Sequence, residues 1–154
     1  MTKYTIPPEL NDALGFNLYR TALLFRKELM HALVDYGMTP EQWQVMRAIW
    51  STSERLHQND IAHLTLKDKH SLSRMLVRLE RDGWIVRQRD PDDARAVVIA
   101  PTEQANQLRQ TVPARLYAHF APILGALTDE EAQQLLILIQ KLRVGLGDND
   151  ISTP

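Results

Sequence analysis

From Lys69 to Asp82 the chain places Leu72, Met75, Leu76 and Leu79 at i, i+3, i+4 and i+7, and Gly83 follows directly. That spacing predicts an amphipathic helix with one buried stripe, N-capped by Asp68 and closed by Gly83. Burying the stripe fixes the other side of the helix. At about 100° per residue, His70, Ser73, Arg74, Val77 and Arg81 turn outward and Ser71 and Arg78 lie along one edge. Beyond Gly83, Trp84–Arg89 and Arg95–Ala100 are rich in β-branched residues and flank Asp90-Pro91-Asp92-Asp93-Ala94, a strong turn sequence. The helix is therefore expected to run straight into a β-hairpin.

Elements before and after this pair read in the same way. Leu14, Leu18, Ala22, Phe25, Leu29, Leu33 and Tyr36 recur in steps of three or four, predicting one long helix closed by Gly37, after an extended N-terminal arm to about Leu10. Thr39-Pro40-Glu41-Gln42 has the form of a capping box with Pro at the first helical position, and Met38 and Trp43 have staple spacing. That helix is expected to stop near Ser51-Thr52-Ser53. A short helix is expected over Asn59–Leu64, with Ile61 and Leu64 as its buried pair. After the hairpin, Thr102 caps a helix from Glu103 to about Leu124, kinked or interrupted by Pro113 and Pro122. Thr128-Asp129-Glu130-Glu131 opens a last helix that fades at Gly145 and Gly147, and the tail from Asp148 to Pro154 reads as disordered.

The order helix, helix, helix, helix, hairpin, helix, helix is that of a winged helix-turn-helix with additional terminal helices. The fold class is mainly α with a small β-hairpin. The terminal helices, Leu14–Tyr36 and Asp129–Leu146, expose more apolar stripe than a small winged unit can cover, so a second copy of the chain is the expected partner.

Composition excludes several functions. The 154 residues contain no Cys, which removes a disulfide framework, a thiolate metal site and a cysteine nucleophile. The five His form no metal-binding helical pair, and neither a phosphate-binding glycine loop nor a nucleophile elbow is present. The chain is expected not to be an enzyme and to need no cofactor or metal. No stretch approaches the roughly 18 uninterrupted apolar residues that span a membrane, and the N-terminus lacks a signal-peptide run, so a cytoplasmic protein is expected.

Eighteen Lys and Arg against nineteen Asp and Glu give a net charge of −1, but the charge is uneven. Residues 69–89 hold six basic and two acidic side chains, leaving the remainder at −5. A local basic excess in a near-neutral chain fits a module that binds double-stranded DNA.

Lys67, Lys69, His70, Ser71, Ser73 and Arg74 cluster at the start of the amphipathic helix. Ser can exchange hydrogen bonds with base edges, Arg can take guanine bidentately, and flanking cations hold phosphates. Arg78 continues that edge, and Arg87 and Arg89 on the hairpin arm either meet phosphates or remain simply solvated. At the hairpin tip, Arg95 is placed to enter a minor groove. Asp93, two residues earlier, either holds the Arg95 guanidinium or satisfies backbone donors of the turn.

Thr39–Trp43, Gln58–Ala62, Lys67–Arg74, Leu79–Ile85 and above all Asp90-Pro91-Asp92-Asp93-Ala94-Arg95-Ala96 resemble the multiple antibiotic resistance regulator (MarR) family. The resemblance covers most of the chain. It implies a homodimeric transcription regulator, often a repressor, acting on an inverted-repeat operator and released by a small-molecule effector. Ser71, Ser73 and Arg74 then match recognition-helix positions, and Asp93 and Arg95 match the wing pair. Residues 1–154 would form one such domain, with 39–101 as the DNA-binding part and 10–36 and 102–147 as dimerisation helices. Three departures stand out: Pro101 in place of a common Leu, Val77 in place of a frequent Asp, and His57 where a Thr or Ser cap is usual. Trp43, Trp50, Phe16 and Arg20 lie near the expected effector crevice, without being assigned to a ligand.

Overall fold

In the computed structural model, which describes residues 5–148, the helices that begin at Pro40, Lys69, Glu103 and Asp129 each start at a capping side chain. The chain divides into two compact units, Met1–Leu116 and Tyr117–Pro154. The first holds α1 (Pro8–Asn11), α2 (Leu14–Leu33), α3 (Pro40–Trp50), β1 (Leu56–His57), α4 (Gln58–Thr65), α5 (Lys69–Arg81), β2 (Ile85–Arg89), β3 (Val97–Pro101), α6 (Glu103–Gln107) and the opening of α7 (Thr111–Leu124). The rest of α7 and α8 (Asp129–Gly145) make up the second.

The capping boxes form as the residue types require. Thr39 Oγ1 accepts from the Gln42 amide at 3.2 Å while Gln42 Oε1 accepts from the Thr39 amide at 2.9 Å, and Thr128 with Glu131 repeats the pattern at α8. Leu33, Val45, Met46, Ile61, Leu72, Leu76 and Leu79 are fully enclosed, so α2, α3, α4 and α5 share one core. Trp50 stands edge-on between Trp43 and Trp84, with ring centroids 6.2 and 6.4 Å away.

The sheet has three strands rather than two. β3 lies in the middle, antiparallel to β2 with Arg87 opposite Ile99, and antiparallel to β1 with Leu56 opposite Ile99 and His57 opposite Val98. Two residues are too few to leave an alternating pattern, so β1 has no signature in the sequence.

Several expectations need correction. The segment before Leu14 is not wholly extended, because Pro7 and Pro8 open a four-residue helix in which Pro supplies a preset φ. The last turn expected of the long N-terminal helix is a 3₁₀ turn, Val34–Tyr36, closed by Gly37 at φ +60°. Leu64 is 56% exposed and is not the partner of Ile61. The inward face of α4 carries Ile61, packed Ala62 and Thr65, whose hydroxyl donates to the Ile61 carbonyl at 2.6 Å. After Thr102 the helix breaks at residues 108–110, upstream of Pro113, which then sits in the first turn of α7 where a missing N–H is tolerated. Pro122 lies inside α7. Of the expected disordered tail, residues 149–154 lie outside the described residues, and Asp148 accepts from Arg143 Nε at 2.8 Å.

Thr102 joins the wing to the helix that follows. Its hydroxyl donates to the Gly83 carbonyl at 2.6 Å and accepts from the Ala105 amide at 3.1 Å, while its amide donates to the Trp84 carbonyl. Thr102→Val keeps the shape and removes both hydroxyl bonds. It is expected to lower the unfolding free energy by about 2 kcal/mol, read as a lower urea midpoint at unchanged m-value.

Candidate nucleic-acid interface

α5 is positioned by its own sequence. Leu72, Leu76 and Leu79 are buried and Met75 packs partly against the same core, which leaves Lys69, His70, Arg74, Val77 and Arg78 exposed. Asp68 Oδ1 accepts from the Ser71 amide at 2.9 Å, and this backbone hydrogen bond holds its carboxyl below the usual carboxylate range. Ser71 and Ser73 are half-buried at the flank, and His70, Ser73 and Arg74 line a shallow open depression.

The turn before α5 is tight. Leu66 has φ +52°, the left-handed region that normally favours glycine, and its neighbour Lys67 donates its amide to the Ala62 carbonyl at 3.0 Å. Lys67 is half-buried beside this turn, close to the start of α5.

In the wing, β2 and β3 are closed by main-chain bonds from Asp90 N–H to Ala96 O at 3.0 Å and from Ala96 N–H to Asp93 O at 2.9 Å. Asp93 Oδ1 accepts from the Arg95 backbone amide at 3.0 Å. Of its two possible roles, Asp93 therefore takes the backbone one and does not clamp the guanidinium. The Arg95 side chain is exposed and has no hydrogen-bond or ion-pair partner among the described residues.

Lys69, Arg74, Arg78 and Arg89 are likewise exposed without an ion-pair partner among the described residues. Arg87 differs from them. It is half-buried, with Nε 3.2 Å from Glu80 Oε2, so its charge is already partly answered within the fold. Arg81, also turned outward, pairs with Asp82 at 2.9 Å. Five uncompensated cations thus lie along α5 and the wing.

What the sequence reading missed is how the wing is fastened. Asp90, 9% exposed, accepts on Oδ1 from Arg55 Nη1 at 3.1 Å and from the Asp92 amide at 2.9 Å. Arg55 also donates to Asp92. On the other oxygen, Asp90 Oδ2 is 2.9 Å from His57 Nε2, and His57 Nδ1 is 3.2 Å from Asp60 Oδ2. The Asp92 amide, then the His57 ring, lower the Asp90 carboxyl, and Asp90 in turn raises His57 above the usual imidazole value. Arg55 and Asp90 are 35 positions apart and meet only through the β1–β3 pairing. No local spacing could announce them.

Away from this face, Trp43, Arg47, Trp50, Ser51, Arg109 and Pro113 line a small cavity, and Arg109 Nη2 donates to the Trp50 carbonyl at 2.6 Å. Phe16 and Arg20 pair with each other on α2, with the guanidinium carbon 5.9 Å from the ring centroid.

The model of the MarR family matches residues 36–96. The chain is similar to that family over those residues. A MarR-family transcriptional regulator from Rhodococcus sp. RHA1 is 26% identical, over 88% of this chain and 96% of that one, with a TM-score of 0.78. CouR from Rhodococcus jostii RHA1, solved with p-coumaroyl-CoA, is 24% identical over 96% of this chain and 100% of its own, with a TM-score of 0.80. In a second structure CouR is a transcriptional repressor bound to a 23-mer DNA duplex, at 23% identity over 91% and 99% of the two chains and a TM-score of 0.81. No helix among the described residues is long and apolar enough to cross a membrane.

Asp93→Asn keeps the acceptor for the Arg95 amide, whereas Asp93→Ala removes it. Hydrogen exchange at the Arg95 amide is expected to stay slow in the first variant and to accelerate about tenfold in the second, relative to the intrinsic rate.

Proposed function

We propose that this protein is a MarR-family repressor that binds an inverted-repeat operator as a homodimer in the cytoplasm, and that a small-molecule effector releases it. The observation that carries the reading is the row of cations on α5 and the wing that have no partner within the fold among the described residues. Fixed cations held apart from carboxylates are what a phosphate backbone recruits. Ser71, Ser73, Arg74 and His70 would face base edges in the major groove, with Lys67, Lys69, Arg78 and Arg89 on phosphates and Arg95 in the minor groove. Arg87 would act at most as a secondary contact, since a phosphate must draw it from Glu80. Asp93 would serve by shaping the turn beneath Arg95.

Residues 39–101 would be the DNA-binding part of one domain spanning 1–154. Dimerisation would use 10–36 and 102–147. Leu14, Leu18, Leu23 and Leu24 are exposed on α2, and Leu135, Leu136, Leu138, Ile139 and Leu142 on α8. Apolar stripes of this extent favour burial against a second copy. Two α5 helices related by a twofold axis would then meet major-groove faces about 10 base pairs apart. Release by an effector needs a ligand that binds the DNA-incompetent state more tightly. The similarity to CouR, which was solved both with DNA and with an acyl-CoA, supports two such states.

Selection of bound duplexes from a random pool, followed by a salt titration on the winner, tests the reading. A palindromic winner is expected, with log Kd linear in log salt at a slope of about 0.9 per neutralised phosphate. A flat salt response would point to a protein partner on the same face. Arg95→Ala is expected to weaken binding by about 1–3 kcal/mol with the dimer intact by sedimentation. Ser71→Ala or Arg74→Ala should relax sequence preference, while Lys69→Ala should weaken all duplexes about equally.

A further inference from the structure

His57 stands between two carboxylates that belong to different elements. Nε2 faces Asp90 Oδ2 at the base of the wing, and Nδ1 faces Asp60 Oδ2 in the first turn of α4. A neutral imidazole has one N–H and one lone pair, so it can donate to only one of them and must point the lone pair at the other. An imidazolium donates to both. Asp60 Oδ2 also accepts the His57 amide at 2.7 Å, so a neutral ring protonated on Nε2 keeps its contact to Asp90, whereas the imidazolium donates to both carboxylates and carries a cation between α4 and the wing.

The surrounding charges favour that form. Asp60 faces the ring from α4, and Asp90 and Asp92 lie on the wing loop, against the single guanidinium of Arg55 just before β1. From β3 the register partner of His57 is the apolar Val98, which contributes no charge. The hydrogen bond to Asp90 is the largest cause of the upward shift of His57. The ring is partly accessible to solvent, so it can exchange its proton without unfolding.

We propose that His57 is a positioning residue for DNA binding: its imidazolium form fastens the wing to α4 and holds Arg95 in place, so that affinity for the operator falls when the ring loses its proton. The proposal rests on the DNA-binding reading above. The sign follows from the shift. A raised folded-state value means that the tether is complete below the ordinary imidazole value near 6.5 and is lost as pH rises through the higher value in the folded protein. Above that, the neutral ring can donate to only one of the two carboxylates, and the charge that strengthens its hold on Asp90 is gone.

Two variants separate this from a merely structural role. His57→Gln has no titrating group. Asp90→Asn can keep Oδ1 on Arg55 and the Asp92 amide and offer Nδ2 to the lone pair of a neutral His57, so the tether no longer needs the proton. With the duplex selected above, at fixed salt, wild-type affinity is expected to fall about tenfold between about pH 6 and pH 9, equivalent to about 1.4 kcal/mol. His57→Gln is expected to bind more weakly than wild type at pH 6 with a flat profile, and Asp90→Asn should also be flat. A wild-type slope retained in either variant, or one abolished by His70→Gln on the DNA face instead, would overturn the assignment.

A second readout needs no DNA. In the free wild-type protein, protection of the Asp92 and Ala96 amides, corrected for intrinsic exchange, should fall as the His57 ring resonance titrates, and should not change with pH in His57→Gln. If duplex binding fails while this exchange signature persists, the DNA reading falls and the tether stands. Binding with a flat wild-type profile and pH-independent protection would remove the tether instead.

Discussion

Burial of Leu72, Leu76 and Leu79 sets the orientation of α5, and the rest of the surface is organised around that choice. All three are completely enclosed, so a rotation of α5 by even one residue would expose a leucine and bury a basic or polar side chain. Each enclosed leucine is worth about 1.5–3 kcal/mol relative to exposure, and burying an unpaired Arg or Lys is costlier still. The helix consequently presents Lys69, His70, Arg74 and Arg78 to solvent as a rigid set. Asp68 fixes where the helix begins, and Gly83, at φ +82°, fixes where the chain leaves it.

The wing depends on that exit. Trp84 enters the aromatic core directly after Gly83, and Thr102 returns the end of β3 to the Gly83 carbonyl, so both feet of the hairpin stand on the C-terminal end of α5. Polar contacts rather than apolar burial hold its far part. Pro91, Asp92, Asp93, Ala94 and Arg95 are all exposed, and only Asp90 reaches inward. A loop built in this way keeps its tip in water, with Arg95 uncompensated, while one buried carboxylate sets its direction. The pairing of Arg87 with Glu80 also joins the hairpin to α5 across their adjoining surfaces.

Much of this was legible in the chain because the signals are local. Thr39 with Gln42, Asp68 with Ser71, and Thr128 with Glu131 act within four residues, and the stripe of α5 repeats within two turns. Interactions that depend on chain reversal were not legible. β1 exists only because β3 offers it an open edge, and the Arg55–Asp90–His57–Asp60 cluster exists only because β1 forms. Leu64 has a helical spacing from Ile61 that suits burial, yet the short α4 turns Ala62 and Thr65 inward instead. Pro113 and Pro122 suggested a helix bent or interrupted at those positions, but the break lies upstream of Pro113, and Pro122 sits inside α7. The break fell before Pro113 because a first turn is the one helical place where proline leaves no donor missing.

The face described here makes one symmetrical demand on its target. If two copies present α5 and the wing about a twofold axis, then each half of the bound duplex must be touched in the same way. Hydroxyl-radical footprinting of the selected duplex reads this directly. The account predicts two protected patches, related by a twofold axis and separated by about one helical turn, each flanked by minor-groove protection where a wing enters. A single patch, or protection without that symmetry, would contradict it.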